Sequence, residues 1–83
     1  MKVRILYFAA LRDLSGTAEE EVELPLAVTS VGAFAAWIEE AKPALKERLS
    51  SVRIARNEEL AGAQDRLEEG DVLALIPPVA GGA

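Results

Sequence analysis

Residues 66–78 read RLEEGDVLALIPP, and the five at the centre, Val72 to Ile76, decide the architecture. Five apolar residues bounded by turn formers have the length of a strand and fall short of a helix. A half-exposed strand alternates apolar and polar side chains, and this one does not. The run therefore predicts a strand buried on both faces, at the middle of a sheet. Glu69-Gly70-Asp71 ahead of it has turn chemistry, and Pro77-Pro78 stops the pairing behind it. A chain whose last strand is central must lay its earlier strands on either side.

Those earlier strands are visible. Residues 2–9, KVRILYFA, alternate Lys2, Val3, Arg4 and Ile5 and then turn apolar, as a strand exposed only at its start. ALRDLSG, residues 10–16, suits a helical turn closed by Gly16, and EEEVELP, residues 19–25, reads as a second strand ended by Pro25. The two strands make a hairpin, with Glu19–Glu21 as a solvated edge rather than an acidic docking patch. In SVRIAR, residues 51–56, Val52 and Ile54 point inward and Arg53 outward, and Asn57 supports the turn that follows.

One segment carries a clear helical period. After Thr29 or Ser30 as cap, Val31, Phe34, Ala35 and Ile38 recur at helical spacing, with Trp37 on the flank of the stripe. Pro43 interrupts, and PALKERLS, residues 43–50, restarts as a short helix with Pro43 at its first position. The order strand, strand, helix, strand, turn-rich segment, strand describes an α+β, β-grasp mixed sheet with one main covering helix and a short second helix. The folded domain is expected over residues 1–78 and a flexible tail over 79–83.

Composition narrows the function. Eighty-three residues support one domain, and a hydrophobic fraction of 51% is ample for a core. Fourteen acidic against nine basic residues, net −5, argue against a nucleic-acid partner. No apolar run approaches the ~20 residues of a membrane helix, so the expected location is cytoplasmic. The chain has no Cys and no His, which removes thiol nucleophiles, thiolate metal sites and the commonest general base. No metal site and no catalytic residue of its own is expected.

The ending, PPVAGGA over residues 77–83, raises two readings. Gly81 and Gly82 have no Cβ to pack, as in a frayed terminus. They also keep a tail slim enough for its carboxyl to enter a narrow site on another protein. Extended at about 3.3–3.6 Å per residue, residues 79–82 project roughly 13–14 Å from the sheet.

Three stretches carry a resemblance: YFAALRDLSG at 7–16, ARNEEL at 55–60 and LEEGDVLALIPPVAGG at 67–82. Together they resemble the MoaD family, the small subunits of molybdopterin synthase. The resemblance implies a ubiquitin-like sulfur carrier that is not itself an enzyme and binds no cofactor. An adenylating enzyme related to ubiquitin-activating enzymes uses ATP on the carboxyl of the last glycine. Sulfur from a donor protein then leaves a thiocarboxylate there. The tail enters the large subunit of molybdopterin synthase, which places the sulfur on cyclic pyranopterin monophosphate, within a heterotetramer. By matching positions, Gly82 carries the sulfur and Gly81 lines the approach. Phe8, Leu60 and Ile76 align with apolar contacts to the large subunit, Arg12 with a basic contact to the adenylating enzyme, and Pro77, Pro78, Val79 and Ala80 with the inserted segment.

The chain departs from the family pattern at Ala83, which places the Gly82 carboxyl in a peptide bond. Ala83 is expected to mark a precursor, part of a fusion or an altered form. The rival readings are another β-grasp sulfur carrier such as that of the thiamine pathway, a ubiquitin-like protein modifier, and a plain binding module. The double proline and FAALR favour the molybdopterin assignment over the thiamine one.

Overall fold

The computed structural model describes residues 1–78; the tail expected over 79–83 lies outside the described residues. Strands β1 (Lys2–Tyr7), β2 (Glu19–Glu23), β3 (Arg53–Arg56), β4 (Glu59–Leu60) and β5 (Val72–Ile76) form one mixed sheet in the order β2-β1-β5-β3-β4. As Val72–Ile76 predicted, the last strand is central: β5 runs parallel to β1 and antiparallel to β3. Helix α1 (Ala10–Ser15) turns the chain out of β1, and α2 (Val31–Ala41) crosses one face of the sheet. This is the expected β-grasp.

Alternation along the strands sends Val3, Ile5, Tyr7, Leu73 and Leu75 to the helix side, where all are buried against Val31, Phe34 and Ile38 of α2 and against Leu11 and Leu45. Ser30 caps α2, its Oγ accepting from Ala33 N–H at 3.2 Å. Trp37 flanks the stripe as expected, half-buried with its ring centroid 6.2 Å from that of Phe34. Gly16 closes α1 at φ 83°, its N–H donating to the Arg12 carbonyl.

Two expectations are corrected. Residues 43–50 do not form a single helix; the chain makes separate 3-10 turns at Pro43–Leu45 and Leu49–Ser51. Leu45 alone is fully buried there, too little apolar surface to hold two regular turns against the core. The short second helix of the fold is α1. Secondly, β5 is covered on one face only. Leu73 and Leu75 are buried, whereas Val72, Ala74 and Ile76 are half-buried, because among the described residues no second layer packs on their side.

A buried carboxylate ties the turns at the start of β5 together. Asp71 accepts from Arg56 Nε at 2.6 Å, Asn57 Nδ2 at 2.9 Å and Glu68 N–H at 2.8 Å. Val72 N–H donates to Asn57 Oδ1 and Asn57 N–H to the Val72 carbonyl, so Asn57 extends the pairing across the sheet. Asn57 and Glu58, at φ 51° and 73°, make the left-handed pair that a tight hairpin needs, and β4 follows. Burial opposes the charge on Asp71, but its three donors outweigh that and hold its carboxyl below the ordinary aspartate value.

Candidate functional site

The residues between the buried ones on each strand face the other way. Lys2, Arg4 and Leu6 of β1 share that face with Val72, Ala74 and Ile76 of β5, and the register adds Arg53 and Ala55 of β3 and Leu60 of β4. One end of the face is charged, Lys2 and Arg4 lying opposite Glu23 and Glu21 of β2. The other end, where β1 and β5 finish, is apolar. Phe8, just past β1, is 42% exposed there, and Leu60 at the sheet edge is 62% exposed. Side chains of this size left in water beside half-buried Leu6, Ala74 and Ile76 make a contiguous patch of the kind that marks an interface.

The tail leaves from that apolar end. Half-buried Pro77 and exposed Pro78 follow β5 and line a cleft of about 570 Å³ together with Phe8, Leu11, Ile76, Arg48 and Ser51. Its wall from Phe8 to Leu11 is a tight turn closed by Leu11 N–H donating to the Phe8 carbonyl at 3.0 Å. Ala9 sits in that turn at φ 51°, ψ −130°, a conformation glycine tolerates far better than alanine.

The structure thus gathers Phe8, Ile76, Pro77 and Pro78 around one cleft and sets Leu60 on the same sheet face, with strands β5 and β3 between it and β1. Arg12 is exposed on α1, adjacent to the cleft residue Leu11. Val79, Ala80, Gly81, Gly82 and Ala83 lie outside the described residues. Leu6, Ala55 and Ala74 also belong to the face; the expectation of a β1 buried beyond its start conceals Leu6, and that of a doubly buried β5 conceals Ala74. The signal that could have exposed them is the helix count: one long amphipathic helix covers one side of a sheet. Arg48, within the segment read as a short helix, and Ser51, at the start of the SVRIAR strand segment, also line the cleft.

On the helix side, Tyr7 Oη donates to Glu20 Oε2 at 2.6 Å, and Lys42 Nζ lies 2.9 Å from the same oxygen. Burial, then the Glu20 carboxylate, pushes the Tyr7 hydroxyl above its ordinary range, so it stays protonated at neutral pH. Among the described residues no group of His, Cys, Asp and Glu is suited to a metal, and every buried side-chain nitrogen or oxygen has a partner. The described chemistry of this face is apolar contact with a charged margin.

Comparison with known proteins agrees. The ThiS family model matches residues 5–82. The molybdopterin synthase sulfur carrier subunit of Mycobacterium tuberculosis is 37% identical, with 99% of each chain covered. That of Chlamydomonas reinhardtii is 36% identical, covering 99% of this chain and 100% of the relative. Among solved structures, small archaeal modifier protein 1 of Haloferax volcanii superimposes with TM-score 0.85 at 29% identity, covering 99% and 100% of the two chains. A chain in the complex of subunits 1 and 2 of molybdopterin-converting factor from Helicobacter pylori does so with TM-score 0.72 at 29% identity, covering 99% and 100%. With its central last strand, its single covering helix and these relatives, the chain belongs to the ThiS family, together with the molybdopterin synthase sulfur carrier subunits.

Proposed function

We propose that the chain is the sulfur carrier of a molybdopterin synthase, in the cytoplasm. The observation that carries this reading is the uncovered apolar face at the end of the sheet where β5 hands over to the tail. A partner that covers Phe8 and Ile76 has the root of the tail in its grasp. In this reading hydrolysis of the Gly82–Ala83 bond frees the Gly82 carboxylate, which attacks the α-phosphorus of ATP on the adenylating enzyme, with loss of pyrophosphate. Adenylation supplies the leaving group that a bare carboxylate lacks. Sulfur from a donor protein then displaces AMP. The thiocarboxylate is carried to the large subunit, two carriers serving a dimer of large subunits, and sulfur passes to cyclic pyranopterin monophosphate. The carrier contributes a reactive terminus and a docking face, and its partners contribute ATP binding and catalytic groups.

The test is to incubate the form ending at Gly82 with ATP, adenylating enzyme and sulfur source, and follow the intact mass. Replacement of one oxygen by sulfur, followed by its loss on adding large subunit and pterin substrate, is expected. A mass that never changes overturns the reading. The likeness to small archaeal modifier protein 1 supports a second reading, in which Gly82 is joined to lysines of target proteins. Isopeptide-linked conjugates from cells expressing the chain would favour it.

A further inference from the structure

The tail root is bordered by a rim of two arginines, Arg48 in the cleft and Arg53 on the adjoining strand β3, that an apolar docking face does not require. Arg48 lines the cleft beside Ser51, whose Oγ donates to the Arg48 carbonyl at 3.1 Å. Arg53 is the register partner of Ile76 and stands exposed on the open face. The two arginines therefore flank Ile76, one from the cleft and one from the sheet. Carboxylates outnumber basic side chains fourteen to nine in this chain, and Arg4, Lys42 and Arg56 are each taken up in an ion pair. Arg48 and Arg53 form no ion pair among the described residues, as is true also of Lys2, Arg12, Lys46 and Arg66, but these two are the ones that flank Ile76.

Resting on the sulfur-carrier reading, we propose that the large subunit of the synthase seats an apolar side chain in this cleft and an acidic side chain on the Arg48–Arg53 rim. Phe8 belongs to both the cleft and the open face, so a protein that covers the face also lies over the cleft. The cleft lining, which includes buried Leu11 together with Phe8, Ile76 and Pro77, accepts hydrocarbon. Guanidinium groups select carboxylate, with planar forked geometry that lysine lacks. On a carrier of net charge −5, two neighbouring arginines beside the tail root give an acidic patch on the partner a local attraction that the net charge does not. The rim thereby sets the orientation in which the tail arrives.

The test measures association of the full chain with the purified cognate large subunit, at low and at physiological salt. Reversing both charges, Arg48→Glu with Arg53→Glu, is expected to lower the association rate at least ~10-fold at low salt and to flatten its salt dependence. Arg66→Glu, at the opposite end of the sheet beside the Ser30 bridge, should bind as the unmodified chain does. Circular dichroism checks that each variant is folded. Unchanged association of the double reversal, while Phe8→Asp abolishes binding, overturns the rim proposal and leaves the carrier reading standing. Absence of binding by the unmodified chain overturns both. If the double reversal alters only self-association of the isolated chain, the cleft belongs to a second copy and the proposal fails.

Discussion

Removing the Asp71 carboxylate should loosen the side of the sheet that presents Leu60. Asp71 is 5% exposed and accepts three hydrogen bonds, from Arg56, Asn57 and the Glu68 N–H. A hydrogen bond contributes about 1 kcal/mol net, and donors left without an acceptor cost more than the bond itself. Asp71→Ala is therefore expected to lose roughly 2–3 kcal/mol of folding stability, or about 10–20 °C of Tm for a domain of this size. The assay is urea unfolding of both proteins, with amide exchange followed across residues 55–60. Protection there should fall more than in β1, because Asn57 is held to β5 partly through Asp71. The pH dependence has a definite sign. The folded pKa of Asp71 lies below its unfolded value, so its contribution is complete above the unfolded pKa of about 3.9. That contribution is lost as pH falls through the folded pKa, so the gap between the two proteins should close in acid. A stability difference below about 0.5 kcal/mol at neutral pH, or one that widens in acid, would refute the reasoning.

Three further outcomes are expected. Phe8→Asp should abolish binding to the large subunit in a titration calorimeter, while unfolding stability moves by less than about 1 kcal/mol, because the ring is already 42% exposed. Ala9→Gly should stabilise the protein by up to about 1 kcal/mol in urea unfolding, since relief of strain at φ 51° outweighs the added chain entropy of glycine; a loss of stability would show that the turn is unstrained. A form carrying Ala83 should take no sulfur where the form ending at Gly82 does, because the reactive carbon moves by about 3.3–3.6 Å. Equal thiocarboxylate yields by intact mass, with Ala83 still attached, would contradict this.

The sheet was readable because period two and short apolar runs are local signals, and β1, β2, β3 and β5 all carry them. Beyond the covering helix, legibility fell wherever structure depends on tertiary contacts. Strand β4 has two residues and exists because Asn57 and Asp71 hold the hairpin that leads into it. The turns at 43–51 depend on how far Leu45 reaches into the core, which helix propensity does not report. The misreading of β5 is more instructive. An unbroken apolar strand looks the same whether its second face is covered by its own chain or kept for another protein. Counting the layers available in the sequence, rather than reading the strand by itself, separates the two. Arg48 is not placed at the cleft by the sequence, since only the tertiary path of the chain after α2 brings it to the cleft that Phe8 and Pro77 line.

That crossover explains why a docking face and a tail root coincide here. Parallel strands end at the same edge of a sheet, and Tyr7 of β1 is the register partner of Leu75 of β5. Phe8 and Ile76, the next residue of each strand, are therefore brought to one place by topology alone. Six further residues, extended at about 3.3–3.6 Å each, put Gly82 within roughly 20 Å of that place. On the sulfur-carrier reading, a partner gripping Phe8 and Ile76 restricts the volume that a Gly82 carboxyl freed of Ala83 can explore. Binding energy from side chains that never react becomes orientation of the one group that does. A chain with neither cysteine nor histidine can serve sulfur transfer on those terms, since its contribution is where the terminus is held.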